Sequence, residues 1–354
     1  MYEKKGLPWT YPGVTAVEDC ITSEDVIKKA NLDWDVSKCE LYANIKITDT
    51  SDKMLDIINN DVKKGNAVIN GNSLFKQCPN GYCTYRTDKN IPLGVVKSKY
   101  TIVQNREAFS FFDKAIENKD AKWFTAGCFG NGNRVFISAK LPNISLVKND
   151  PVDNYLVFIN SHDGSGGVKI MFTPIRIICF NALTAAIKSS TNYISFRHTA
   201  SVHKNIDEAH EVLGICERKR QETEEYYNYL ANIKVTDEDI MKFVGEFVLT
   251  EEEAEQLLVT GHSFKELCYR NNQAFEDSGI SMRKLNVISD IWDYYNDGIG
   301  QKQIAGTAWA AVNAVSGYYS NVDNAVGEKR FDSIVFGDKS RKIQNAFDMA
   351  GILS

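Results

Sequence analysis

No run of the 354 residues is apolar for long enough to suggest a membrane-spanning helix. The best candidate, around Ile170 to Ile187, is interrupted by Pro174, Arg176 and Asn181, and a span needs an unbroken apolar length. The opening MYEKKGLPWTYPG has charge but neither an apolar core nor a small-residue cleavage site, so no secretory signal is expected. That reading makes the protein cytoplasmic, with no membrane partner. Paired cysteines are also missing. Eight stand at 20, 39, 78, 83, 128, 179, 216 and 268, scattered in a chain long enough to fold without disulfide staples, which predicts reduced and mostly buried thiols. Cys78 and Cys83 (CPNGYC) are the closest pair, but no second Cys or His pair completes a metal site. Neither metal nor cofactor is expected.

Signatures of catalysis are scarce as well. There is no G-x-x-x-x-G-K-[ST] phosphate loop. Gly130-Asn131-Gly132-Asn133 opens like a dinucleotide fingerprint, but Asn133-Arg134-Val135 breaks it, and a strand pattern follows where a helix is required. His210-Glu211 is followed by Val212-Leu213-Gly214, not by the second histidine of a zinc helix. Ser161, His162 and Asp163 have the chemistry of a hydrolase triad, yet neighbours on a strand end point to alternate sides and do not converge. No carboxylate pair stands out for metal-dependent hydrolysis. These absences lean against an enzyme.

What is present is an ordinary globular composition, 43% hydrophobic and 25% charged, with an unusual layout of charge. Residues 1–80 carry 10 Lys+Arg against 12 Asp+Glu, residues 81–205 carry 16 against 8, and residues 206–354 carry 15 against 26. A protein of net charge -5 therefore has a basic middle of +8 and an acidic C-terminal part of -11. Two readings stand: a polyanion-binding face, or a middle neutralised by the acidic region packed against it.

The basic middle is also the β-rich part. Tyr155 to Asn160 and Val168 to Ile178 flank the Gly-dense turn Ser161-His162-Asp163-Gly164-Ser165-Gly166-Gly167, which predicts a hairpin. WFTAGCF and RVFISAKL around Gly130-Asn131-Gly132-Asn133 predict another, and YCTYRTD with LGVVKSKYTIVQ a third. A helix begins near Asn105, and short helical segments read at Thr22 to Ala30 and Asp52 to Lys64. After Thr199 the periodicity becomes helical, with caps at Thr236 and Thr250 and further helices near 263–277, 281–296, 305–320 and 340–352. The expected class is α+β: an antiparallel hairpin-rich sheet with a helix packed on it, one face buried and one basic, followed by a mostly helical region. The expected division is an N-terminal arm and small segment over 1–80, a sheet core over 81–199 and a helical region over 200–354.

Alternation on the expected sheet puts Arg134, Phe136 and Lys140 on one face of their strand, and Lys97 and Lys99 on one face of theirs. With Arg197 and His198 they form the candidate nucleic-acid-binding set, cations for phosphates and Phe136 for stacking on a base. Gly164, Gly166 and Gly167 offer backbone N–H groups for an anion-binding turn, or simply the positive φ of a hairpin tip. Arg176, in the apolar arm FTPIRIICF, demands a carboxylate, a set of carbonyls or a bound anion, with a buried Asp or Glu as the favoured partner.

The series LGVVKSKYTIVQN, TAGCFGNGNRVFISAKL, SHDGSGG, PIRIICFNAL, RHT and GTAWAAVNAVSGYY, spanning Leu93 to Tyr319, resembles the phage/plasmid-like proteins classed as a domain of unknown function. The resemblance implies a gene of a phage, prophage or plasmid acting in a bacterial host cytoplasm, and it brings no catalytic residues. The resulting expectation is a nucleic-acid-binding, non-enzymatic protein of phage DNA metabolism, broadly similar to the ring-forming strand-annealing proteins and homo-oligomeric. The rival is a protein-interaction module, such as an inhibitor of a host defence protein or a virion component, that uses its acidic helices.

Overall fold

The computed structural model describes residues 2–3, 5–48, 51–110, 112–113, 121–142, 145–179, 181–183, 193–204 and 211–353. The chain runs β1 (Thr15–Ala16), α1 (Ser23–Lys29), β2 (Val36–Lys46), α2 (Asp52–Lys63), β3 (Ala67–Asn70), β4 (Ser73–Arg86), β5 (Ile91–Lys97) and α3 (Asn105–Ser110). It continues through β6 (Lys122–Phe129), β7 (Arg134–Lys140), β8 (Ser145–Val147), β9 (Asp150–Ser161), β10 (Val168–Arg176), β11 (Asn181–Ala182) and β12 (Tyr193–Phe196). The helical part follows as α4 (Glu211–Asn232), α5 (Asp237–Val248), α6 (Glu251–Val259), α7 (Phe264–Cys268), α8 (Asn272–Asp277), α9 (Met282–Asp297), α10 (Ala308–Gly317), α11 (Gly327–Val335) and α12 (Asp338–Ala350). The short Ala-rich helix that the sequence suggests after Leu183, the end of the helix begun at Asn105 and the first residues of the long helix suggested from Ile206 lie outside the described residues.

The class is the α+β expected. Eight strands form one sheet in the order β1-β6-β7-β9-β10-β11, with β12 on β10 and β8 on β9, every pair antiparallel. The β6–β7 and β9–β10 hairpins share this sheet, but the third predicted hairpin does not. β4 and β5 pair in a second sheet with β2 and β3, and the division expected at residue 80 falls inside β4.

The faces of the large sheet differ from the expectation. A sheet with one basic, solvated face was expected, and both faces are buried. Val135, Ile137, Ala139, Leu156, Phe158 and Phe172 pack on one side with Val26 and Ile27 of α1 and Phe109 of α3. On the other side Phe136, Tyr155, Val157, Ile159 and Met171 lie under Leu7 and Trp9 of the N-terminal arm and under Phe331, Ile334 and Val335 of α11. The arm is pinned there by Arg330, whose guanidinium donates to the carbonyls of Gly6, Leu7 and Ser320. Segments from the two ends of the chain thus cover what alternation alone leaves open.

The helical region packs around α10, all ten residues of which are buried. Thr307 caps it by accepting the Ala310 N–H, and Gly317 lies so close to the Tyr294 ring that a Cβ would overlap it, which lets α9 approach. Thr236 and Thr250 form the expected capping boxes. At α1 the cap is Thr22, and the Ser23 N–H and hydroxyl donate to Asp113. The predicted 263–277 helix is broken into α7 and α8 at Arg270, where φ is +52°.

Candidate nucleic-acid interface

β5 ends at Lys97, and a tight turn follows in which the Tyr100 N–H donates to the Lys97 carbonyl at 3.0 Å. Lys99 therefore lies beyond the strand, not two residues along it. The turn is held from below by Lys38 of β2, whose ammonium donates to the carbonyls of Ser98 (2.9 Å) and Tyr100 (3.2 Å) and lies 4.9 Å from the Tyr82 ring centroid. From the other side comes the segment after β12: the Thr101 N–H donates to the His198 carbonyl at 3.0 Å, and the Tyr100 and His198 rings stack at 4.6 Å. Lys97, Lys99 and Arg197 are all exposed around this junction, and none of them has an ion-pair partner among the described residues.

The Gly-dense turn after β9 arrives at the same place. The Tyr100 hydroxyl donates to the Ser161 carbonyl and the Thr84 hydroxyl to the His162 carbonyl, both at 2.6 Å. Gly94 has no room for a Cβ because the Asp163 backbone lies against it, and a Cβ at Gly167 would collide with the Phe196 carbonyl. Of the three glycines proposed for an anion nest, only Gly164 takes a positive φ, +77°. Asp163 caps the turn by accepting the Ser165 N–H, so the turn itself carries a negative charge. Seven of the ten candidate residues, Lys97, Lys99, Gly164, Gly166, Gly167, Arg197 and His198, are thereby gathered at one end of the large sheet. Lys38, Tyr82 and Tyr100 belong with them. Lys38 gave no sign of this in the sequence.

Beneath the surface two histidines are buried. His198 donates through Nδ1 to the Thr101 carbonyl at 2.9 Å, and His162 shares a 2.9 Å hydrogen bond between Nε2 and the Asn105 amide oxygen, its ring against Trp34. Burial, with His198 adding to it, pushes the His162 pKa down to about 3, and burial also lowers that of His198. In the unfolded chain both take up a proton below pH about 6.5. Between that pH and the depressed folded values the unfolded state binds more protons, so stability falls as pH falls. His162 alone is expected to cost about 2 kcal/mol between pH 7 and pH 5. Urea midpoints at the two pH values measure it, and His162→Gln should flatten the difference; equal midpoints for the native protein would contradict the buried neutral imidazole.

The remaining three candidates do not join the site. Phe136 is 0% exposed, in edge contact with Phe331 at 4.7 Å, and so cannot stack on a base. Arg134 is paired with Asp332 of α11 and lies over the Phe129 ring at 4.4 Å, while Lys140 is paired with Asp153 at 2.7 Å. For Phe136 and Arg134 the cause is α11, which occupies the face they were expected to expose, whereas Lys140 is taken by a carboxylate of the neighbouring strand β9. Arg176 finds its carboxylate, with Nε donating to Asp150 at 2.6 Å and a second nitrogen to the Gly300 carbonyl at 2.9 Å.

A groove of about 1120 Å³ lies elsewhere, lined by Arg283, Lys284, Lys339, Arg341 and Lys342 around Tyr318 and Tyr319. Three of its five cations are already neutralised, Lys284 by Glu253, Lys339 by Asp323 and Arg341 by Asp338. That leaves Arg283 and Lys342 without an ion-pair partner among the described residues, against three such cations, Lys97, Lys99 and Arg197, at the junction. Among the described residues no three His, Cys, Asp or Glu side chains are grouped as a metal site requires, and no helix is long and apolar enough to cross a membrane.

An α+β protein with a two-sided buried sheet and an exposed basic junction is the class these features define. The chain belongs to the family described as Domain of unknown function (DUF932), whose model matches residues 92–347. No curated protein and no solved structure matches the chain.

Proposed function

We propose that the protein binds nucleic acid, in single-stranded form and without catalysing a reaction on it, in the DNA metabolism of a phage or other mobile element. The observation that carries this reading is the convergence of Lys97, Lys99 and Arg197, exposed and without carboxylate partners among the described residues, on a turn that Lys38 already holds by its carbonyls. Cations gathered from separate segments neutralise phosphates. Tyr82, half-buried beside the Lys38 ammonium, takes the stacking role that Phe136 cannot. The mobile-element context rests on the motif series from Leu93 to Tyr319. Three cations on one chain contact few phosphates, so several copies along one strand supply the rest of the affinity, and a homo-oligomer is part of this reading.

Replacing Lys97, Lys99 and Arg197 together by Glu should weaken binding of a labelled single-stranded oligonucleotide by at least about 30-fold, with the circular dichroism spectrum unchanged because all three are exposed. Fluorescence anisotropy reads the affinity. Equal affinity of the triple variant would remove the junction from the argument, and a native protein with no affinity would shift the search to protein partners of the acidic helices.

A further inference from the structure

Two thiols stand at the neck of a lobe of which the nucleic-acid reading uses only Tyr82, at its base. Everything between Cys39 in β2 and Cys83 in β4, that is the outer parts of both strands with α2 and β3, forms this lobe. Its own core is small, with Ile58, Ala67 and Leu74 buried and Ile47 packed against them. Ile45, Leu55, Val68 and Ile69 stay exposed. A unit that buries so little apolar surface depends on its attachment to the rest of the protein.

Cys39 and Cys83 are directly opposite one another in the β2–β4 ladder. Their side chains leave the same face of the sheet, at a cross-strand separation within the range a disulfide spans. The Cys39 sulfur is 3.7 Å from the Cys83 carbonyl oxygen. Immediately beyond them, between Glu40 and Tyr42, a bulge interrupts the ladder, and no cysteine lies opposite Cys78. We infer that Cys39 and Cys83 are a reversible redox site, closing by exchange with a small disulfide to form a cross-strand disulfide that braces the lobe at its base.

Cys39 is exposed, and Cys83 is half-buried with its pKa raised by burial and by the neighbouring Cys39. Cys39 is accordingly the attacking thiol. As thiolate it bonds to one sulfur of glutathione disulfide and releases one glutathione; Cys83 then gives up its proton, attacks the Cys39 sulfur and releases the second. The two protein thiols lose two electrons and two protons, and the glutathione disulfide is reduced to two glutathiones. The resulting bond closes a loop containing the whole lobe, which lies 44 positions from end to end along the chain.

The test treats the full chain with glutathione disulfide, alkylates the remaining thiols and maps the peptides by mass spectrometry. The expected product is a Cys39–Cys83 cross-linked peptide, two hydrogens lighter and reversed by a dithiol reductant. Limited proteolysis within residues 41–80 should slow by about tenfold or more in the oxidised protein. Cys83→Ser should stop at a stable glutathione adduct on Cys39. Adducts on Cys39 of the native protein that never resolve, cross-links through Cys78 instead, or unchanged proteolysis of the cross-linked lobe would each overturn the inference.

Discussion

Arg176→Met is expected to destabilise the protein by about 3–5 kcal/mol, the cost of leaving one partner of a buried ion pair alone. Arg176 is 0% exposed. Its guanidinium donates to Asp150, to the Gly300 carbonyl and, at 3.6 Å, to the Cys179 sulfur. The same Asp150 oxygen accepts the Trp309 indole N–H at 2.9 Å. The pair therefore ties the last strand turn of the sheet to the central helix α10 and to the loop after α9, and removing the cation strands a carboxylate in the seam between the two halves. Urea denaturation measures the loss. Exchanging both partners, Arg176→Met with Asp150→Leu, should recover a substantial part of it, because an apolar pair has no charge to desolvate. A loss of less than about 1 kcal/mol in the single variant would contradict the account of the seam.

Phe136→Ala should cost a similar amount, about 3–5 kcal/mol. The ring is enclosed by Phe129 at 5.6 Å and Phe331 at 4.7 Å, with α11 closing over it, so truncation leaves a cavity that β7 and α11 cannot both collapse into. The contrast with a stacking role is direct. At a temperature where the variant remains folded, its affinity for a single-stranded oligonucleotide should equal that of the native protein. A loss of affinity with little loss of stability would mean that the ring reaches the ligand after all.

The hairpins were legible because their signals are local. Gly130 and Gly132 adopt φ of +54° and +108°, and Gly164 +77°, at the turns where the sequence placed them. Helix caps at Thr236 and Thr250 are local too. The covering of the sheet was not legible, because alternation states that two faces differ and says nothing about what lies on each. Arg134 and its partner Asp332 are 198 residues apart, and the carbonyl of Leu7 meets Arg330 across 323. The charges of Lys97, Lys99 and Arg197 could be read off the chain, but their convergence rests on the contact of Thr101 with His198, 97 residues away. Lys38 escaped notice because its role depends on carbonyls of a turn 60 residues on. The break at Arg270 had only Asn271 and Asn272 just after it as a local sign, and Asn271 caps α8 by accepting the Ala274 N–H.

A nucleic-acid interface at this end of the sheet is read out by the salt dependence of single-stranded oligonucleotide binding. With three or four phosphates neutralised at the junction, the slope of log affinity against log salt should be about -2 to -3, a loss of about 20- to 50-fold between about 50 and 200 mM salt. The Lys97, Lys99 and Arg197 charge-reversal variant should lose most of that slope together with its affinity. Binding that is absent at the lower salt, or a slope unchanged in the variant, would contradict a nucleic-acid interface at this end of the sheet.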